Sequence, residues 1–475
     1  LGKRKVRIPR LAANYMVLSA GEAIAKVLAA VAFAYLARVL GPQRYGYLEF
    51  AIAVILFYTL LVDSGLNAYL AREIARDREV ATRLAAHSIV VRCLLVAAVL
   101  PLLAAFTSAV PQPPLARRLT LLYGLTLLGQ PGLVQGVFQG LDRMHYVAVA
   151  SVIRWTMFAA GVFLFVRAPE HVWVVPVVEA CAIVALVAFY LRSASRVVGS
   201  LRQPIHGTLA VSMFRQALPI GASDLVWALQ MYSATVFLGI LVGGPEVGWF
   251  GAAHRIVISL HTFVWLYFLN LMPSMARCSQ QPIERLQRLL HKSMKAAAWM
   301  AVFLGIVGTA LAEPLMTLVY GEQYRQATAA FQWLVWLIPL RLLYGHYAYG
   351  LIAFDRQQLA FVSTACGAGL NLLLNLLLVP SYGPIGAAWA LVSSELLAGG
   401  LAYYLVRRTI AHIPVWSHMA RPLLAGAILI GLLSVLPRAD VLVTVGSASV
   451  VYGLTLLIIQ PEVYRDVRSM FVRDR

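Results

Sequence analysis

Lys26, Arg92, Arg154, Arg255 and Arg341 each fall inside a long apolar run of this chain. An ion at the middle of a membrane helix costs about 2.5–3.5 kcal/mol on insertion scales, so such residues face a protein interior or a water-filled cavity rather than lipid. At 1.5 Å per residue, Lys26 lies close to the bilayer centre, and Arg154, Arg255 and Arg341 lie about 12–20 Å from the nearer helix end. Arg92 is shallower and is expected to snorkel to the inner interface. For the other four, two chemistries are open. One is a cationic, water-filled cavity that receives an anion; the other is a set of structural ion pairs with Glu22, Asp63, Glu179, Asp224 or Glu395.

The elements that carry these charges are apolar segments of bilayer length. The chain is 61% hydrophobic and 12% charged, with a mean hydropathy of +0.77; soluble domains carry about 25% charged residues. A hydrocarbon core about 30 Å thick takes about 20 apolar residues per helix. Fourteen such spans are expected, near 14–38, 46–69, 84–107, 119–140, 146–166, 172–191, 216–241, 247–272, 295–312, 327–353, 359–379, 385–406, 421–437 and 441–460. The fourth is interrupted by Gly129, Pro131 and Gly132, and the thirteenth is short. The chain therefore reads as an all-α polytopic membrane protein. Its first apolar run follows a basic stretch but is too long for a signal peptide, and reads as a retained helix.

Lys and Arg fall in alternate loops. With the N-terminus inside, 27 lie on the inner side, 7 on the outer side and 5 within spans. The positive-inside rule then places both termini in the cytoplasm of a multi-pass cell-membrane (inner-membrane) protein. The formal charge of +19 is largely this topological signal, and its dispersal argues against nucleic acid as a partner. Cys93, Cys181, Cys278 and Cys366 form no C-x-x-C pair. They imply neither a disulfide framework nor a metal site, and the three within spans read as buried small residues.

Residues 192–215 carry four Arg and no acid, and separate six spans from the next six. The expected organisation is an N-lobe (1–191), a cytoplasmic linker (192–215), a C-lobe (216–406) and a last pair of spans with a cytoplasmic tail (407–475). Residues 282–296 place Ile283, Leu286, Leu289 and Leu290 on one helical face and Arg285, Arg288 and Lys292 on the other, the pattern of an interfacial helix with its cations near anionic headgroups. An internal repeat supports two lobes. Gly-Pro pairs follow the first, seventh and eleventh spans, and Asp142-Arg143 and Asp355-Arg356 follow the fourth and tenth. Gly41 to Gly244 is 203 residues and Asp142 to Asp355 is 213. Repeats sharing an orientation hold their substrate site between them near mid-membrane.

Carboxylates follow the repeat. Glu22 lies 19 residues before Gly41 and Asp224 lies 20 before Gly244, so the first helix of each lobe bears an acid. Glu22 and Lys26, four apart, can instead form a local pair. A carboxyl in low dielectric resists ionisation, which suits coupling to H+ or Na+. Asp63, Asp142 and Asp355 read as structural. Gln130, Gln135, Gln139, Gln230, Asn270, Asn371 and Asn375, with Trp227, Tyr232, Trp265, Tyr344 and His346, offer amides and aromatic faces to a sugar, although membrane aromatics also serve packing and interfacial belts. Gln130 and Trp227 are the preferred pair among them.

The run NYMVLSAGEAIAK (Asn14 to Lys26), then ARVLGPQRYG (Ala37 to Gly46) and DSGLNAYLAREI (Asp63 to Ile74), resembles the N-terminal signature of bacterial and archaeal polysaccharide transporters. These are the Wzx-type flippases of the multidrug, oligosaccharidyl-lipid and polysaccharide exporter superfamily. VYGEQY (Val319 to Tyr324) and GPIGAAWA (Gly383 to Ala390) resemble its C-terminal half. The resemblance spans most of the chain and lies in the combination, since each string is loose. It implies fourteen helices, two six-helix lobes around a central cavity, two C-terminal helices, and transport of a polyprenyl-diphosphate-linked oligosaccharide from inner to outer leaflet for polysaccharide biosynthesis. Lys26, Arg154, Arg255 and Arg341, with Gln130 and Trp227, would then bind cargo, a diphosphate needing several cationic donors at once. Glu22 or Asp224 would couple a cation gradient, and no other cofactor is implied. Partners would be the lipid-linked oligosaccharide, the bilayer, and a polymerase with other assembly proteins.

Two other readings compete. Cation-coupled drug export fits the lobes, but asks for an acid-dominated cavity. A membrane glycosyltransferase or polymerase finds no D-x-D and no large outer loop here, so a non-enzyme is expected. The charge asymmetry makes a direct prediction: reporter fusions after residues 43, 112, 244 and 382 read as external and those after 200, 285 and 412 as cytoplasmic. Inversion of the C-terminal set would break the two-lobe organisation.

Overall fold

The computed structural model describes residues 10–278, 281–414, 416–435 and 441–462. Lys3, Arg4, Lys5, Arg7, Arg438 and the tail bearing Arg465, Arg468, Arg473 and Arg475, all used above to orient the chain, lie outside the described residues. The helices are α1 (Arg10–Asp63), α2 (Leu66–Arg76), α3 (Ala81–Ala109), α4 (Pro114–Gly124), α5 (Gln135–Gly140), α6 (Met144–Phe165), α7 (Val174–Val198), α8 (Gly207–Leu241), α9 (Gly244–Cys278), α10 (Ile283–Ala310), α11 (Ala312–Tyr320), α12 (Thr328–Leu334), α13 (Leu337–Ala353), α14 (Gln357–Thr409), α15 (Ala420–Val435) and α16 (Val441–Ile459).

Among the described residues, ten helical stretches are long and apolar enough to cross a membrane, and two shorter apolar helices follow. Two of the ten run for 56 and 53 residues; at 1.5 Å per residue each is about 80 Å long, far beyond one hydrocarbon core of about 30 Å. Each breaks at a glycine that precedes proline. Gly41 (φ 70°) interrupts α1 and Gly383 (φ 51°) interrupts α14. Counting both as double crossings gives the fourteen expected from the sequence. Gly244, before Pro245, has φ 64°, so all three recurrent Gly-Pro pairs use a backbone region open chiefly to glycine.

The other repeated turn is matched bond for bond. Asp142 and Asp355 are left-handed, with φ 58° and 57°. Arg143 N–H donates to Phe138 O and Arg356 N–H to Leu351 O, each at 2.8 Å, while Asp142 and Asp355 N–H donate to Gln139 O and Ile352 O at 3.1 Å. This is a Schellman-type helix end with aspartate where glycine is usual, and aspartate tolerates that conformation better than most residues. Both turns reverse the chain onto the next crossing.

By packing, the chain divides into two compact units, Leu1–Ala228 with Gly243–Gly248, and Leu229–Val242 with Trp249–Arg475. In the first, α1 packs on α6 and α4, and α6 on α7. A buried cluster of Leu66, Leu70, Phe138, Tyr190 and Met213 closes one end. Within this unit the backbones come unusually close at two places: a methyl group added to Gly248 would lie 2.0 Å from Pro42 O, and one added to Gly221 2.4 Å from the Ser64 carbonyl carbon. In the second unit α13 packs on α14 and α10, and α15 and α16 cover a face of α10 around Trp299, Val302, Leu429 and Tyr452.

The fourth crossing is broken as its glycines suggested. α4 passes into a 3-10 segment, Leu125–Gly132, before α5. The amphipathic stretch 282–296 and the ninth span form one continuous helix, α10, with Leu286 and Leu290 buried. Cys93, Cys181 and Cys366 are exposed rather than buried, because lipid is as apolar as a side-chain interior and does not drive small apolar residues inward.

Candidate functional site

Arg92 does not snorkel. It is 1% exposed; its Nη2 lies 2.5 Å from Asp63 Oδ1 and its Nη1 donates to Leu133 O at 3.2 Å. Asn67 Nδ2 donates to the same Asp63 oxygen at 2.9 Å, and Asn67 Oδ1 accepts from Gly136 N–H at 3.1 Å. These side chains supply partners to backbone left over where the fourth crossing breaks, a requirement for any irregular chain at membrane depth. The triad is structural.

Arg154, on α6, is different. Its Nε donates to Glu179 Oε1 at 3.1 Å and a second, short bond runs from Nη2 to the same oxygen. The guanidinium lies over the Trp155 ring, 5.0 Å from its centroid. Glu22 and Arg154 are both electrostatic neighbours of Tyr190. Glu179 is 8% exposed, but Arg154 keeps 34% of its side chain open. Two of the five guanidinium N–H donors go to a single carboxylate oxygen, so the group retains donors for a further anion. Lys26 is exposed one turn from Glu22 on α1, and the two form no ion pair with each other; the local pair drawn from their spacing is absent.

The second unit holds a tighter arrangement. Arg341 Nη1, on α13, lies 3.0 Å from Glu395 Oε1 on α14, and its Nε donates to His261 Nε2 at 3.1 Å. Glu395 Oε2 accepts from Gln230 Nε2 at 3.2 Å. Arg341 is 18% exposed and Glu395 3%. Met231, Val257 and Leu337 line a cavity of about 10 Å³ beside them, room for about one water molecule. Asn371 Oδ1 accepts from Ser233 at 2.7 Å and Asn375 Nδ2 donates to Asn371 at 2.8 Å. Gln230, Asn371 and Asn375 are fully buried, so three amides offered above to a sugar face the protein interior: Gln230 and Asn371 bond across helices, and Asn375 bonds Asn371 one turn away on α14. His346, also buried, bonds Ser293 at 2.8 Å.

The remaining candidates are placed as follows. Gln130 is half-buried at the end of the 3-10 segment, Trp227 half-buried and Asp224 exposed on α8, and Arg255 half-buried on α9. Asp224 is close enough to Asp63 to feel its charge. Reasoning from single residues missed one relation: Glu179 and Glu395, each paired to an arginine, are 216 residues apart, close to the 213 of the aspartate turns. The sixth helix of each half thus carries the arginine's partner.

Intramembrane ion pairs on a helical scaffold with repeated turns define the class, an all-α multi-pass membrane fold. The chain aligns with a solved structure of the lipid II flippase MurJ in an inward closed conformation, with a TM-score of 0.78 and 12% identity, covering 95% of this chain and all of that one. It aligns also with an inward-facing multidrug resistance MATE family transporter of the MOP superfamily, with a TM-score of 0.67 and 17% identity over 81% of this chain and 94% of that one. The chain belongs to the polysaccharide biosynthesis protein family, whose model matches residues 11–279. A candidate O-antigen transporter of Escherichia coli (strain K12) is 22% identical over 406 residues, 83% of this chain and 96% of that protein.

The pairs make a stability prediction. Arg341→Gln strands Glu395 in a site 3% exposed and should destabilise the protein by about 3–5 kcal/mol, whereas adding Glu395→Gln should recover most of the loss. The same cycle at Arg154 and Glu179 should give a smaller coupling, because Arg154 is one-third open. Equal, additive losses in unfolding measurements on purified protein would contradict the assignment.

Proposed function

We propose that this chain is a flippase that carries a polyprenyl-diphosphate-linked oligosaccharide from the inner to the outer leaflet by alternating access. The observation that carries the reading is Arg154, a membrane-depth guanidinium held by one carboxylate oxygen yet one-third open. A diphosphate offers more oxygens than a carboxylate and accepts the planar donor fork of arginine well. On this reading the cargo head displaces or joins Glu179, with Lys26, Arg255 and Arg341 as further cationic contacts and Gln130 and Trp227 toward the sugar. The prenyl tail stays in lipid, so the protein does not desolvate a whole polyprenol.

Membership of the polysaccharide biosynthesis protein family supports this cargo class, as does the relative named for O-antigen transport. Cation-coupled drug export is less well supported, since Glu179 and Glu395 are already matched by arginine and are poorly placed to receive a cationic drug. Glu22 and Asp224, on the first helix of each lobe, remain the proposed coupling carboxylates. The delivered product would pass to a polymerase and other assembly proteins at the outer face, with both termini of this chain in the cytoplasm.

In proteoliposomes holding a labelled lipid-linked oligosaccharide, Arg154→Gln, Arg255→Gln, Arg341→Gln and Lys26→Gln should each slow translocation by about tenfold or more, the loss of one charge-assisted bond. Glu22→Gln or Asp224→Asn should abolish stimulation by an imposed proton or sodium gradient while cargo still binds. Full transport in all four cation variants would overturn the cationic site.

A further inference from the structure

The α10 face below the one covered by α15 and α16 carries Arg288, His291, Lys292 and Lys295, spaced i, i+3, i+4 and i+7. That spacing puts all four on one side of the helix. They line an open pocket of about 600 Å³ together with Glu284 and Glu462. Its far wall is held firmly: Trp299 Nε1 donates to Gln460 Oε1 at 3.0 Å and Tyr452 OH donates to Trp299 O at 3.0 Å. These bonds pin the end of α16, and Glu462 reaches Lys295 Nζ at 3.5 Å.

Among the described residues that line it, three permanent cations face two carboxylates, a net positive lining before His291 contributes. Like charges three and four residues apart on a helix repel, and Lys295 is buried, at 8% exposure, with its Glu462 partner 66% exposed. His418, from the 3-10 turn Trp416–His418, meets the His291 ring edge-on at 4.2 Å. It is buried, and its Nε2 has no hydrogen-bond partner among the described residues. Burial, reinforced by His291 and Lys295, pushes the His418 imidazole down to about 4. A concave surface lined by several cationic N–H donors on one helical face favours an anion.

We propose that this pocket binds a phosphate group, with Arg288 and Lys292 as its principal donors. Their end of α10 belongs to the side that the Lys and Arg distribution assigns to the cytoplasm, where two sources present that chemistry: the headgroup of an anionic lipid and soluble phosphate. The site stands apart from the transport reading, and its test uses no lipid-linked sugar.

The full chain in phosphate-free maltoside micelles is titrated separately with phosphatidate, with diacylglycerol of the same chains as control, and with inorganic phosphate against chloride at equal ionic strength. Apparent affinity is read from the shift in thermal unfolding. Phosphatidate, inorganic phosphate or both should stabilise the parent, and which one acts identifies the source. Arg288 and Lys292 are exposed, so Arg288→Gln/Lys292→Gln should fold, and should weaken the effective phosphate ligand by about tenfold or more. Glu284→Gln, which removes a competing acid from the pocket, should tighten it. No stabilisation by either phosphate source, or shifts unchanged in both variants, would overturn the proposal.

Discussion

Within a bilayer no water is at hand to finish a broken helix, and the network around Leu133 answers that constraint. The 3-10 segment from Leu125 to Gly132 leaves backbone groups that the fourth crossing cannot satisfy by itself. Arg92 reaches the Leu133 carbonyl, Asp63 neutralises Arg92, and Asn67 ties Asp63 to Gly136. A guanidinium so fully buried needs its carboxylate, and the carboxylate sits where α1 ends. The same rule, that a charge at depth must find an opposite charge on another helix, governs Arg154 with Glu179 and Arg341 with Glu395.

Those two pairs share a partner position on the repeated scaffold but differ in accessibility. Glu395 is held by Arg341 and Gln230, and Arg341 is bound in turn to His261, so α8, α9, α13 and α14 meet at one buried junction. Among the described residues, Arg154 has Glu179 alone as its hydrogen-bonded carboxylate and lies against the Trp155 face. Each half thus carries one arginine-paired carboxylate at a matching place in the sequence, one pair in a buried junction and the other open. Function is more readily placed on the open pair.

Much of the fold was legible because hydrocarbon imposes a length and a solvent. Span positions, the Gly-Pro reversals at Gly41, Gly244 and Gly383, and the break near Pro131 follow from local rules of hydropathy and backbone freedom. Asp63, Glu179 and Glu395 were among the acids offered as ion-pair partners, but which group each buried side chain takes was not legible. Arg92 was expected at the interface because its sequence depth is shallow, yet depth does not reveal that a neighbouring crossing is broken and needs a donor. Gln230, Asn371 and Asn375 looked like sugar contacts because polar residues in apolar helices suggest function; Gln230 instead bonds Glu395 and Asn371 accepts from Ser233 across helices, which no spacing along one helix discloses, while Asn375 bonds Asn371 along α14. Cys93, Cys181 and Cys366 were read by the habits of water-soluble cores, which do not hold where the outside is also apolar.

The central claim is that an anionic cargo head competes with the glutamates for the membrane arginines. Equilibrium binding of a short-chain prenyl diphosphate to the purified protein addresses it directly. Glu179→Gln and Glu395→Gln, which release Arg154 and Arg341 from their partners, should strengthen binding, and Arg154→Gln and Arg341→Gln should weaken it. Affinity that falls on loss of either glutamate, or that ignores all four substitutions, would contradict the account.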